Sequence, residues 1–134
     1  MNQFQSGVSS ELFVAHQFAE LGDSVLWPLL TQSRYDLVIE KDGVFHKGQV
    51  KKATWSSAGK HSYLQARISG KNKLTNTPYK ETDVDVFVFT DNKRIWVAPF
   101  KEVGHLTSVC LGSSNEKYKP YTKYNAEAWL VKTH

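Results

Sequence analysis

The sequence predicts an α/β or α+β domain, a mixed β-sheet with a helix packed on it, and three observations carry that prediction. A helical hydrophobic period runs near the N-terminus, from Ser9 to Leu21. An Asp42-Gly43 dipeptide sits between two apolar-rich runs, the sequence signal of a two-residue β-hairpin turn. Farther on, Asp85-Val-Phe-Val-Phe-Thr90 and Arg94-Ile-Trp-Val-Ala98 read as strands joined by the polar Asp91-Asn92-Lys93. A helix and such strands bury their apolar faces by packing on each other.

Each element follows in order. Within the first helix, Leu12, Ala15, Phe18 and Ala19 recur at three- and four-residue spacing. Ser6 and Ser9 are available N-caps, and Gly22 suits the left-handed position past the last turn. Ser24-Val-Leu-Trp-Pro28 is a short apolar run stopped by proline, which suits an edge strand. Residues 34–53 form the hairpin around Asp42-Gly43. The polar, basic stretch from Thr54 to Lys80 holds one further strand, Tyr63–Ile68, set to pair with Thr54–Ser57 across a turn at Gly59. Residues 112–124 read as a basic, Tyr-rich surface loop, and Asn125–Lys132 as a short closing helix capped by Asn125. No repeat, low-complexity tract or linker divides the chain. Residues 1–134 are therefore expected to form a single domain, with a basic insert around 54–80.

Composition excludes several classes. Among 134 residues, 40% are hydrophobic and 13% aromatic, which is incompatible with a disordered chain. No run approaches the ~18 apolar residues of a membrane span, and the segment Met1–Glu11 lacks the charged-then-apolar pattern of a secretory signal. Cys110 is the sole cysteine and forms no internal disulfide, which fits a reducing compartment. The expectation is a cytoplasmic protein without a membrane partner. The formal charge of +4 is distributed unevenly. Between residues 43 and 80 lie Lys47, Lys51, Lys52, Lys60, Arg67, Lys71, Lys73 and Lys80, and no Asp or Glu.

The hairpin concentrates polar groups. With a two-residue loop, Lys41 opposes Val44, and the pairing runs through Glu40 with Phe45 and Val38 with Lys47 to Asp36 with Gln49. Directly opposed residues have Cβ atoms about 4.5–5.5 Å apart. Lys51 projects from the same face as Gln49, opposite Arg34, while Tyr35, Leu37, Ile39 and Val50 take the more apolar face. Like charges facing each other destabilise a sheet, so Arg34 and Lys51 require an anion between or near them. A bulge would turn every side chain to the other face, and an ordinary solvated hairpin face would show the same alternation. The first helix tilts the choice. Glu11 stands three, four and seven residues before Val14, Ala15 and Phe18, on or beside the apolar stripe. A partly buried carboxylate there needs a cation or metal; the alternative is a helix-N-terminal glutamate steadied by the macrodipole.

These residues fall into an ordered set of short motifs. Gly7-Val-Ser-Ser-Glu11 is followed by Gly22-Asp-Ser-Val25-Leu-Trp-Pro28, Arg34-Tyr-Asp36-Leu-Val38 and Gln49-Val-Lys51. Asp83-Val-Asp85-Val-Phe and Arg94-Ile-Trp-Val-Ala-Pro99 come after. The set resembles the PD-(D/E)XK nuclease superfamily, and within it the branch of group-I-intron-encoded homing endonucleases, across residues 5–103. Gln49 stands where the superfamily usually has Asp or Glu, a replacement associated with this branch, and Tyr35-Asp36 replaces Pro-Asp. The resemblance implies a restriction-endonuclease-like core, with Glu11, Asp36, Gln49 and Lys51 as the catalytic residues.

Phosphodiester hydrolysis requires charge stabilisation at the phosphate, an activated water and an anchored leaving group. The resemblance implies Mg²⁺, with Mn²⁺ as a substitute, held by Asp36, the Gln49 side-chain carbonyl, the Val50 backbone carbonyl and Glu11, directly or through water. Mg²⁺ prefers oxygen ligands. Lys51 would orient or help deprotonate the attacking water. Gln49 removes one negative charge, so weaker Mg²⁺ binding than at a three-carboxylate site is expected. Other chemistries lack support. The histidines at 16, 46, 61, 105 and 134 share no zinc-ligand spacing, and there is neither a GxSxG elbow nor a Walker A motif.

The basic stretch suits a phosphate backbone. A two-stranded ribbon of Trp55–Ser57 and His61–Arg67 would fit a major groove. Lys60, His61, Gln65 and Arg67 are its candidate base or phosphate contacts, with Arg34, Lys52, Lys71 and Lys73 beside them. The leading expectation is a site-specific endonuclease of double-stranded DNA, a homing endonuclease. Two strands need two active sites, hence a homodimer, and the resemblance implies a homotetramer. The rivals are a Holliday-junction-resolving nuclease and a DNA-binding module whose site is dead because Gln49 fails to hold metal.

Overall fold

The computed structural model describes residues 2–30, 33–68, 79–113 and 126–132. Helix α1, Gln3–Glu20, starts earlier than its hydrophobic period. The Asn2 side chain accepts the Gln5 N–H at 2.8 Å while the Gln5 side chain accepts the Asn2 N–H at 3.1 Å, a reciprocal capping box. Ser6 and Ser9 therefore lie inside the helix rather than at its cap. The buried stripe also differs from the expected one. Ser10, Val14 and Phe18 are buried, whereas Leu12 is 58% exposed and Ala19 faces out. The buried positions fall at strict four-residue steps, beginning at a small serine. Gly22, at φ +90, terminates it as expected.

Strands β1 (Ser24–Leu26), β2 (Leu37–Lys41) and β3 (Val44–Ala58) follow. β1 is the outermost strand of the main sheet. The β2/β3 register runs from Lys41↔Val44 to Leu37↔Gly48, the pairing expected of a two-residue loop. Asp42 (φ 52) and Gly43 (φ 81) both occupy the left-handed region, as the twist of such a hairpin requires. Gly43→Ala is expected to cost ~1–2 kcal/mol, read as a lower urea midpoint at unchanged m-value.

β4 (His61–Arg67) pairs with β3 across Gly59-Lys60. β5 (Val86–Thr90) lies parallel to β3, which makes the sheet mixed, and β6 (Ile95–Pro99) is antiparallel to β5. Side chains alternate cleanly on β5 and β6. Val88 and Ile95 pack with Val14, Phe18, Leu37 and Ile39 under α1. Phe87, Phe89, Trp96 and Ala98 face the other way, into a larger core with Ala53, Leu64, Ala66 and Val109. That second face is covered by α2 (Phe100–Val103), by β4 and by β7 (Ser108–Ser113), which pairs with β4. The expected closing helix is instead a 3-10 turn, Ala126–Trp129, leading into β8 (Leu130–Val131) on the edge of β6. Trp129 anchors the turn by burial and by its indole N–H to Glu102 at 2.7 Å. Asn125 and residues 114–124 of the expected surface loop lie outside the described residues. Among the described residues no helix is long and apolar enough to cross a membrane.

Candidate active site

The site originates in an interruption along β3. One edge of this strand pairs with β2 from Val44 to Gly48 and with β4 from Ala53 to Ala58. Both hairpins close across two-residue loops, on Lys41↔Val44 and Ala58↔His61, so even-numbered peptides of β3 face β2 and then β4 along the same edge. Between the two ladders lies a gap at residues 49–52. Asp36, immediately before β2, fills it. Its N–H donates to the Gly48 carbonyl at 2.9 Å, and its Oδ2 accepts the Val50 N–H at 2.8 Å. A strand residue directs its N–H and C=O to the same edge, so the Val50 carbonyl faces the gap as well. The ladder ends at Leu37↔Gly48, one pair short of the expected Asp36–Gln49 opposition. The chain leaves the ladder at Asp36 because its carboxylate replaces the next strand bond.

Glu11 reaches this carboxylate from α1. Burial, then the charge of Asp36 and a hydrogen bond shared with it, raise the Glu11 carboxyl to about 7. Asp36 is also raised by burial, against the Val50 N–H, Glu11 and the Lys51 charge. Two carboxylates thus touch in a half-buried site, and near neutral pH they share a proton. Gln49 and Lys51, both half-buried, stand level with Phe87 and Phe89 of β5. The Lys51 ammonium lies 5.3 Å from the ring centre of Tyr79. Tyr79 was not singled out by its sequence, since it sits in a polar stretch with no periodic signal. Burial, with Asp36 and Asp83 nearby, holds its hydroxyl above the usual phenol range.

Arg34 does not confront Lys51 unbalanced, as the strand pairing implied. Its guanidinium meets Asp83 Oδ2 at 2.6 Å, and the same oxygen accepts the Lys80 N–H at 2.8 Å. Burial alone would raise the Asp83 carboxyl; the Lys80 N–H and Arg34 outweigh it and hold it low. The required anion is therefore part of the protein. Lys52 is exposed and donates to Ser6 Oγ at 2.7 Å. Lys60 and Arg67 are exposed, and His61 and Gln65 half-buried, around the β3–β4 hairpin. That hairpin is not a free two-stranded ribbon. β7 occupies the outer edge of β4, and Leu64, Ala66 and Ile68 are buried in the core. Lys71 and Lys73 lie outside the described residues.

Among the described residues no three His, Cys, Asp or Glu side chains converge. The structure sets together the Glu11 and Asp36 carboxylates, with the Val50 carbonyl facing the same gap and Gln49 preceding it on β3; all carry oxygens of the kind Mg²⁺ takes. The mutual repulsion of the two carboxylates is the feature a cation would relieve, so this donor set fits a divalent ion.

Comparison with known proteins bears on the family and the fold. The family model of the PD-(D/E)XK endonuclease matches residues 1–131. Protein 5.3 of Escherichia phage T7 is 36% identical over 114 residues, covering 85% of this chain and 94% of that protein. Among solved structures, the bacterial homing endonuclease I-Ssp6803I superposes with a TM-score of 0.75 at 20% identity, covering 97% of this chain and 89% of that one. The restriction-endonuclease-like fold implied by the motifs is therefore present.

Proposed function

The chain belongs to the PD-(D/E)XK endonuclease family, and from that premise we propose that it is a Mg²⁺-dependent, site-specific endonuclease of double-stranded DNA, acting as a homing endonuclease. The observation that carries the reading is the Glu11–Asp36 carboxylate pair set in the β3 gap, with Lys51 on the same strand. Glu11, Asp36, Gln49 and the Val50 carbonyl would hold the ion; Mn²⁺ would occupy the same donors. When bound, it would supply Lewis-acid charge to the scissile phosphate and activate water. The protein's own part is preorganisation. The Val50 N–H fixes the orientation of Asp36, so the carboxylate does not reorganise as charge develops. Lys51 presents a positive charge beside it, placed to orient the attacking water and to offset charge on the phosphoryl oxygens. Arg34, Lys52, Lys60, His61, Gln65 and Arg67, joined by Lys71 and Lys73, would follow the DNA backbone or bases. Cutting both strands requires two such sites, so the working form is a homodimer or homotetramer, acting in the cytoplasm.

The test is incubation with target-bearing duplex DNA and with a four-way junction, each with Mg²⁺, with Mn²⁺ and with chelator. Divalent-ion-dependent cleavage of the duplex is expected. Preferential resolution of the junction would replace the homing role with a structure-selective one. Binding to duplex should weaken steeply with salt, since each phosphate contact contributes about 0.9 to the slope of log K against log salt.

A further inference from the structure

A lysine ammonium on a flexible stem gains directional strength only where something fixes it, and the surroundings of Lys51 contain such a fixture. Lys51 emerges from β3 in register with Phe89, one pleat from the Gln49↔Phe87 pair. Tyr79 packs edge-on against Phe87, with ring centres 5.9 Å apart and an interplanar angle of 84°. The same ring lies 5.3 Å from the Lys51 ammonium. The face of an aromatic ring carries negative charge and holds a cation within about 6 Å of its centre.

The backbone next to the ring is held by hydrogen bonds. Lys80, the next residue, donates its N–H to Asp83 at 2.8 Å, and the Asp83 N–H returns to the Lys80 carbonyl at 2.9 Å. The Asp83 carboxylate also binds Arg34, two residues before Asp36. Farther along, Asp85 exchanges hydrogen bonds with the Lys47 backbone of β3. The turn just after Tyr79 is thus attached to the segment entering Asp36 and to the strand bearing Lys51.

We propose that Tyr79 is a positioning residue whose ring fixes the Lys51 ammonium beside the Glu11–Asp36 pair. This rests on the nuclease reading above. Two variants separate the ring from its hydroxyl. Tyr79→Phe keeps the ring and is expected to retain kcat within about twofold, whereas Tyr79→Leu is expected to lose about tenfold in kcat with KM for DNA little changed. A readout independent of cleavage accompanies them. In NMR spectra of lysine-labelled protein, the Lys51 ε-methylene protons should be displaced upfield by the ring in wild type and Tyr79→Phe, and return to ordinary values in Tyr79→Leu. An ordinary Lys51 shift in wild type overturns the proposal, as does an equal loss of kcat in both variants or a Tyr79→Leu loss confined to KM. Wild-type protein with the displaced Lys51 signal that cuts no DNA under any divalent ion would overturn the nuclease reading and leave the contact standing.

Discussion

Asp36→Asn is expected to lower divalent-ion-dependent DNA cleavage by about 10³-fold or more, with duplex binding nearly intact. Asparagine is preferable to alanine because its side-chain carbonyl still accepts the Val50 N–H made at 2.8 Å in the native protein. Alanine would leave that N–H without its partner, at about 1–3 kcal/mol if water cannot replace it, and would mix a folding defect into the rate. Asparagine removes only the charge, so a rate loss reports the ion and the phosphate chemistry. Lys51→Met keeps much of the apolar stem and should fall into the same class, about 10²–10³-fold down. Single-turnover cleavage and gel-shift binding of the same preparations separate rate from affinity. A wild-type protein that binds its target yet never cuts would make this a binding module with a dead site. Cleavage unaffected by either substitution would move the active site elsewhere.

Much of this arrangement was legible in the residues because hairpin geometry is local. Asp42-Gly43 specifies a two-residue turn, and the turn alone determines the Lys41↔Val44 to Leu37↔Gly48 register. The short run Asp85-Val-Phe-Val-Phe-Thr90 marked β5 just as locally. What escaped was set by nonlocal contacts. Asp83 neutralises Arg34 from 49 residues away, so strand pairing by itself produced a false repulsion between Arg34 and Lys51. β7, with Cys110 and Gly112 inside it, lacks a strong strand signal and exists because β4 offers it an edge. Its presence converts the expected ribbon into the centre of a three-stranded layer. The last segment reads as helix by propensity but ends as a strand, because β6 has a free edge for Leu130 and Val131. Tyr79 had no periodic neighbour to distinguish it. The candidate site was readable to the extent that its residues are close in sequence, Asp36 to Lys51; Glu11 entered through its place beside the apolar stripe and through the motif resemblance.

Glu11→Gln is expected to separate the cost of the carboxylate pair from its use. The Glu11 carboxyl titrates at about 7 in the folded chain against 4.5 ordinarily, first because of burial and then because of Asp36. A raised carboxyl means that the folded state binds more protons than the unfolded state across that interval, so stability falls as pH rises. The penalty is absent below pH 4.5, grows between 4.5 and about 7, and is complete above. Glutamine carries no charge at any of these values. The variant should therefore match wild type near pH 4 and exceed it by about 1 kcal/mol at pH 8, a figure discounted for partial solvent exposure, or roughly 3–5 °C in Tm. Cleavage should move the opposite way, down about 10–100-fold, as expected for loss of a group supporting an ion. The same pair predicts how Mg²⁺ acts on the fold. At pH 8 the ion should raise the wild-type Tm, by up to about 2.7 kcal/mol of stabilisation at a hundred times its Kd. Near pH 5 the shared proton competes for the site, and the Mg²⁺ increment should shrink. In Glu11→Gln and Asp36→Asn it should be small at both values. A Tm increment that persists unchanged in both variants would place the cation-binding oxygens outside this gap. A wild-type stability that rises between pH 5 and 8 by more than the Glu11→Gln variant's would show that the two carboxylates do not repel each other in the folded protein.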